Sequence, residues 1–216
     1  MDKNICEFLV VRHGQTTANL SGILQGQMDW PLDEQGLEQA RALAERLRNQ
    51  HFDAAWCSDL SRTVVTAQAI MKYHPELAIN HTAELREWHL GELQGKSFEE
   101  LRNFYPNMLN AFKIDGPVPE IPGGENSGEF QERISTFMEK TAADNLGKRL
   151  LIITHGGVMQ RMFRHTVGPI NSTNIKPLCG NASISTFQKR PGGWQLISWN
   201  DTAHLENLAQ HATLTF

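Results

Sequence analysis

Two short apolar runs each end in a His-Gly pair, and this repetition constrains the fold more than any other feature of the chain. Phe8-Leu9-Val10-Val11 leads into Arg12-His13-Gly14, and Leu151-Ile152-Ile153-Thr154 leads into His155-Gly156. Apolar runs of this length, bounded by Gly, read as buried strands of a mostly parallel sheet. Ligands of such sheets bind beyond the carboxyl ends of the strands. One crevice is therefore expected to hold both imidazoles, although most of the chain separates them.

The intervening pattern alternates strand and helix. Asp33 is placed to cap a helix through about Arg48, with Leu37, Ala40, Ala44 and Leu47 at helical spacing, and Ala54 to Ser58 reads as a strand. A helix opening near Arg62 runs from Ser61 towards Tyr73. Ser97-Phe98-Glu99-Glu100 forms a capping box for a short helix ending near Tyr105-Pro106. Pro117, Pro119, Pro122, Gly123 and Gly124 mark a loop, and Phe130, Ile134, Phe137 and Met138 mark a helix running towards Asn145. Gly157 to Val167 reads as a helix abutting His155. Ser183 to Gln188 and Trp194 to Trp199 flank Arg190-Pro191-Gly192-Gly193 as a hairpin. The expected fold is α/β: a three-layer α/β/α sandwich with a mostly parallel central sheet, helices on both faces and a C-terminal hairpin.

With 216 residues, 40% hydrophobic and 20% charged, one domain spanning 1–216 is the default. A net charge of −4 without any long Lys/Arg run argues against nucleic acid or an anionic membrane as partner. Glu7 interrupts the N-terminus too early for a signal peptide, and no apolar stretch reaches membrane-span length, so a soluble cytoplasmic protein is expected. Cys6, Cys57 and Cys179 are odd in number and widely spaced, which fits buried apolar residues better than a disulfide frame or zinc site. The remaining histidines lack metal-like spacing.

Arg12 and Arg62 both follow strand ends, and guanidinium matches phosphate or carboxylate bidentately. Helix N-termini behind these loops add oriented N–H donors. A neutral imidazole in such an anion pocket can attack phosphorus, and a nearby carboxylate must then protonate the departing oxygen. Spacing leaves Glu84, Glu87 and Glu92 open for that part. Ser61 lacks the context of a hydrolase nucleophile.

Arg12-His13-Gly14-Gln15-Thr16-Thr17-Ala18-Asn19 resembles the signature of the histidine phosphatase superfamily, in its phosphoglycerate mutase-like branch. Gln25-Gly26-Gln27-Met28-Asp29-Trp30-Pro31-Leu32, Ser58-Asp59-Leu60-Ser61-Arg62-Thr63, Leu85-Arg86-Glu87-Trp88-His89-Leu90-Gly91, Pro122-Gly123-Gly124-Glu125 and Thr154-His155-Gly156-Gly157 are similar to further family segments, in order. The resemblance implies that His13 is the nucleophile, that Arg12, Arg62 and His155 hold the phosphoryl oxygens, and that Glu87 is the general acid and base. It further implies phosphate or substrate contacts from Asn19, Gln25, Gly26 and Gly156, and no metal or other cofactor. Gln15 departs from the Glu frequent in relatives, removing a negative charge near the loop.

A substrate-lid insertion is expected over about 92–126. Its apolar residues Phe98, Leu101, Phe104, Tyr105, Met108, Leu109 and Phe112 serve as core or lid, with core the commoner use. Its basic residues are only Lys96, Arg102 and Lys113, which points to a small phosphorylated substrate with an apolar or aromatic body. The expected function is metal-independent phosphomonoester hydrolysis through phospho-His13. A mutase is the alternative, disfavoured by Gly157 where mutases carry Asn. A non-catalytic phospho-ligand binding module is the second alternative.

Overall fold

Side chains alternate sides along the first strand and bury both of its faces, so helices are required on both sides of the sheet. In the computed structural model, which describes residues 2–108, 120–168 and 177–208, this strand is β1 (Cys6–Arg12). Phe8 and Val10 join one core with Leu150 and Ile152, whereas Leu9 and Val11 join a second core with Leu151 and Ile153. The first core is closed by α5 (Ser127–Ala143) and α6 (Gly156–Val167), the second by α2 (Glu34–Leu47) and α3 (Ser61–Met71). This is the three-layer sandwich the alternation predicts.

Among the described residues the sheet has six strands in the order β3-β2-β4-β1-β5-β6, with β2 at Ala54–Ser58, β3 at Ile79–Thr82, β4 at Arg149–Thr154, β5 at Ile184–Arg190 and β6 at Gly193–Asp201. The first four are mutually parallel, while β5 and β6 run antiparallel as the C-terminal hairpin. β1 and β4 are central neighbours in a register that pairs Arg12 with Thr154. The residues that follow, His13 and His155, are therefore set side by side.

Helix α2 illustrates the local logic. The Asp33 carboxylate caps it by accepting the Gly36 N–H at 2.7 Å, and Gly36, Gln39, Ala40, Leu43, Ala44 and Leu47 form its buried stripe. Leu43 and Leu47 contribute roughly 1.5–3 kcal/mol each by leaving water. Leu37, expected on this face, lies one step round the helix and is exposed. The capping box of Ser97 and Glu100 forms as expected and opens α4 (Phe98–Phe104). Within the insertion Leu101 is core, whereas Phe104 is 74% exposed. Leu109, Phe112, Lys113, Pro117 and Pro119, and the tail beyond 208, lie outside the described residues. The three cysteines are buried and free, and burial pushes the Cys6 and Cys57 thiols up to about 12. No helix among the described residues is long and apolar enough to cross a membrane.

Candidate active site

The carboxyl ends of all four parallel strands supply one cavity. β1 delivers Arg12 and His13; β2 leads into α3 and Arg62; β3 leads through a turn to Glu87; β4 delivers His155 and the start of α6. Arg12, His13, Asn19, Gln25, Gly26, Arg62, Glu87 and Gly156 all line this cavity, and His155 lies directly behind it against His13. The space open to the centre of a water molecule is about 90 Å³.

His13 is 2% exposed, and its Nδ1 lies 2.7 Å from the Gly14 carbonyl oxygen. A carbonyl only accepts, so Nδ1 carries the proton and Nε2 keeps its lone pair. Burial first, then the charges of Arg62 and Arg12, hold the His13 pKa well below its ordinary 6.5. The ring stays neutral at neutral pH. Its loop is locked from three sides. The Gly14 N–H donates to Thr66 Oγ1 at 3.1 Å, the Ala182 N–H to the His13 carbonyl at 3.1 Å, and the Asn181 amide to both the His13 and Gly14 carbonyls. Gly14 also touches α2 so closely that a Cβ there would stand 2.3 Å from the Gly36 carbonyl oxygen. No larger residue fits.

Arg62 is 1% exposed and donates Nη1 to the Met28 carbonyl at 2.9 Å, Nη2 to the Gly26 carbonyl at 2.8 Å and Nε to His155 Nδ1 at 3.1 Å. Burial lowers its pKa to about 10, which leaves it cationic at neutral pH. Gly26 presents that carbonyl with φ of +51°, a conformation suited to glycine. Arg12 donates Nη1 to the Cys179 carbonyl, and its buried Nε has no partner among the described residues. The guanidinium lies against Gly156, where a Cβ would stand 3.2 Å from it. A buried cation with an unused donor, beside the N-terminus of a twelve-residue helix, is chemically suited to an anion.

His155 is fully buried between Arg62 and Ser58, with Nε2 at 2.8 Å from Ser58 Oγ and its ring edge-on to His13 at a centroid distance of 5.2 Å. Since Nδ1 accepts from Arg62, Nε2 bears the proton. Burial, followed by Arg62, His13 and Arg12, keeps this ring neutral as well.

Glu87 lines the cavity from the turn that follows β3. Its Oε1 accepts the Trp88 N–H at 2.9 Å and its Oε2 the Gly157 N–H at 3.0 Å. The preceding turn is clamped by Thr154 Oγ1 on the Leu85 carbonyl and by Arg133, which donates to the Glu84, Arg86 and Glu87 carbonyls and pairs with Glu125. Glu84 and Glu92 are exposed and do not line the cavity, so of the three carboxylates only Glu87 is in place. Asn19 is buried, with Oδ1 accepting from Thr16 and Asn181, which leaves its amide hydrogens as the group it offers the cavity. The buried Gln25 Oε1 has no partner among the described residues. His89 is half-buried outside this cavity, and its backbone N–H donates to Glu125 Oε2.

Three features escape sequence reasoning. Asn181 buttresses the His13 loop but carries no motif. Gln15 turns away from the cavity, donating Nε2 to Asp33 Oδ2 at 2.9 Å, so its departure from the family pattern secures the cap of α2. Arg161, from α6 and not from the insertion, lines the cavity beside Ile23, Leu24, Trp88, Leu90 and Phe130. Apolar residues and one cation thus share this wall of the cavity.

The family model described as histidine phosphatase superfamily (branch 1) matches residues 8–202. A metal-independent phosphoserine phosphatase of Arabidopsis thaliana is 34% identical over 212 residues, covering 96% of this chain and 87% of the relative. A phosphoglycerate mutase-like protein 4 of the same plant is 32% identical over 208 residues, covering 95% and 89% respectively. Among solved structures, a phosphoserine phosphatase mutant of Entamoeba histolytica in complex with phosphoserine superposes with a TM-score of 0.79 at 26% identity, covering 93% of this chain and 99% of that one. The chain belongs to the histidine phosphatase superfamily, branch 1, and is a phosphatase enzyme.

Proposed function

We propose that this protein hydrolyses small phosphomonoesters, without a metal, through a phosphohistidine formed on His13, with Glu87 as general acid and then general base. The observation that carries this reading is the buried, neutral His13, whose Nδ1–H is spent on the Gly14 carbonyl while Arg12 and Arg62 flank it with positive charge.

The substrate's phosphoryl oxygens take the unused donors of Arg12 and Arg62, with the Asn19 amide and the α6 N-terminus beside them. The His13 Nε2 lone pair forms the N–P bond as the P–O ester bond breaks, and protonated Glu87 gives its proton to the departing oxygen. Ionised Glu87 then takes a proton from water, whose oxygen attacks phosphorus. The N–P bond breaks, its electron pair returns to Nε2, and inorganic phosphate leaves. Fixed cations around the equatorial oxygens stabilise the transition-state charge, and removing one such donor costs roughly a hundredfold or more. His155 orients Arg62. A direct grip on a phosphoryl oxygen requires its Nδ1 to become a donor, which means giving up the bond from Arg62 Nε, with Ser58 Oγ turning from acceptor to donor at Nε2.

The relative named for metal-independent phosphoserine hydrolysis supports both the reaction class and a small substrate. Residues 1–216 are read as one domain with a substrate lid over about 92–126, and the free buried cysteines are in keeping with a reducing, cytoplasmic setting. The test is phosphate release from a panel of phosphomonoesters with and without excess chelator, with phosphoglycerate isomer conversion followed in the same tubes. Hydrolysis in both conditions without isomer conversion is expected. Conversion without net phosphate release would make the enzyme a mutase.

A further inference from the structure

We infer that Glu125 and Arg133 are positioning residues for proton transfer: as one ion-paired unit they fix the backbone on both sides of Glu87, which gives the Pro122-Gly123-Gly124-Glu125 loop a part in the chemistry. This deepens the phosphatase reading and rests on Glu87 being the acid.

Glu87 lies on an irregular segment between short 3₁₀ turns at Ala83–Leu85 and Gly91–Leu93, so no strand or helix ladder orients its backbone. The carbonyls of such a segment need donors from elsewhere. Arg133, on α5, uses all five of its N–H groups here. Nη1 donates to the Glu84 carbonyl at 2.6 Å and the Arg86 carbonyl at 2.9 Å, and Nη2 reaches the Glu87 carbonyl at 3.4 Å. The remaining two, from Nε at 2.7 Å and Nη2 at 2.8 Å, meet the two carboxylate oxygens of Glu125. A rigid fork sets three carbonyls relative to one another, which a lysine ammonium on a flexible stem does not.

Glu125 secures the residues that follow the acid. Its Oε2 accepts the His89 N–H at 3.2 Å, its own N–H donates to the His89 carbonyl at 2.9 Å, and its carbonyl accepts the Trp88 Nε1–H at 2.9 Å. Trp88 in turn donates its backbone N–H to Glu87 Oε1, so a shift of this segment moves the carboxylate itself. The approach depends on the loop's second glycine, since a Cβ at Gly124 would stand 2.6 Å from the His89 carbonyl oxygen. Glu125 and Arg133 line a separate open cleft and not the cavity that holds His13, so their effect on the reaction passes through Glu87.

The test is leaving-group dependence. Glu125→Gln keeps the side-chain volume and the backbone bonds but removes the charge that pairs with Arg133. Its kcat/KM is expected to fall roughly ten- to fiftyfold on phosphoserine, whose leaving oxygen needs a proton, and less than threefold on p-nitrophenyl phosphate. Arg133→Lys is expected to show the same split, and it carries the comparison should Glu125→Gln melt below the assay temperature. Adding Glu125→Gln to Glu87→Gln is expected to cost less than a further twofold on phosphoserine, because residues acting through one group are not additive. A merely structural pair would lower Tm and reduce both esters alike. Equal losses on the two esters, a fully additive loss in the double variant, or undiminished phosphoserine turnover in both single variants would overturn the inference and leave the phosphatase reading standing. Wild type that turns over neither ester would overturn both.

Discussion

Replacing Gly157 by Ala tests how closely the proposed acid is placed. A Cβ at this position stands 2.2 Å from Glu87 Oε1, 3.1 Å from its Cδ and 3.4 Å from Oε2. Ordinary contact begins near 3.4 Å, so the carboxylate must retreat by more than 1 Å or rotate out of the cavity. Either movement stretches the 3.0 Å bond from the Gly157 N–H to Oε2 that now holds it. The helix itself gains from the change, since Ala is favoured over Gly by up to about 1 kcal/mol in a helix. A displacement of about 1 Å in a reacting group commonly costs on the order of a hundredfold. The expected outcome is a kcat/KM loss of about a hundredfold on an alkyl phosphate such as phosphoserine, whose leaving oxygen needs the proton. On p-nitrophenyl phosphate, whose phenolate leaves unprotonated, the loss should stay under about fivefold. Thermal melts should show Tm unchanged or raised. Full activity on the alkyl ester, or equal losses on both esters with Tm retained, would refute the placement of Glu87 as the acid.

Other outcomes follow from the same geometry. Glu87→Gln should show the same split between alkyl and nitrophenyl esters, and equal losses would move the acid role elsewhere. Gln15→Glu sets a carboxylate against Asp33, 2.9 Å from the present amide, and should cost about 1–3 kcal/mol, read as a lowered Tm with little change in KM; an unchanged Tm would contradict the assigned amide orientation. His13 and His155 are held neutral in the fold, so below their ordinary pKa of 6.5 the unfolded chain binds more protons than the folded one. Their stability contribution is therefore complete above pH 6.5 and is lost as pH falls below it, by up to about 1.4 kcal/mol per pH unit for each ring. Urea midpoints should drop from pH 7 to pH 5.5, less steeply in His13→Ala, and an unaltered slope in that variant would refute the buried neutral ring. Phosphate release should persist in excess chelator, and loss restored by added magnesium would overturn metal independence.

The two His-bearing strands are legible in the sequence because strands buried on both faces must be apolar throughout, and the register of Arg12 with Thr154 then brings the imidazoles together. Strand β3 is not legible. Ile79-Asn80-His81-Thr82 lies at the sheet edge with a single apolar side chain, yet the turn that follows it delivers Glu87. Leu37 lies off the buried face of α2 because Gly36 and Gln39, neither of which reads as apolar, occupy the buried stripe against the His13 loop. Arg161 looks like an ordinary helical cation, since its burial is made by Trp88 and Phe130 from distant segments. Asn181 has no signal at all, because its value lies in carbonyls exposed only once the His13 loop is bent.

The central claim is the covalent step on His13, and the most direct measurement is rapid acid-free quenching of the enzyme with phosphorus-labelled substrate. The label should appear on one peptide containing His13, stable in alkali and lost in acid, and should turn over as fast as phosphate is released. It should be absent from His13→Ala, which should release no phosphate. Wild-type turnover in His13→Ala, or label on any other residue, would contradict the account.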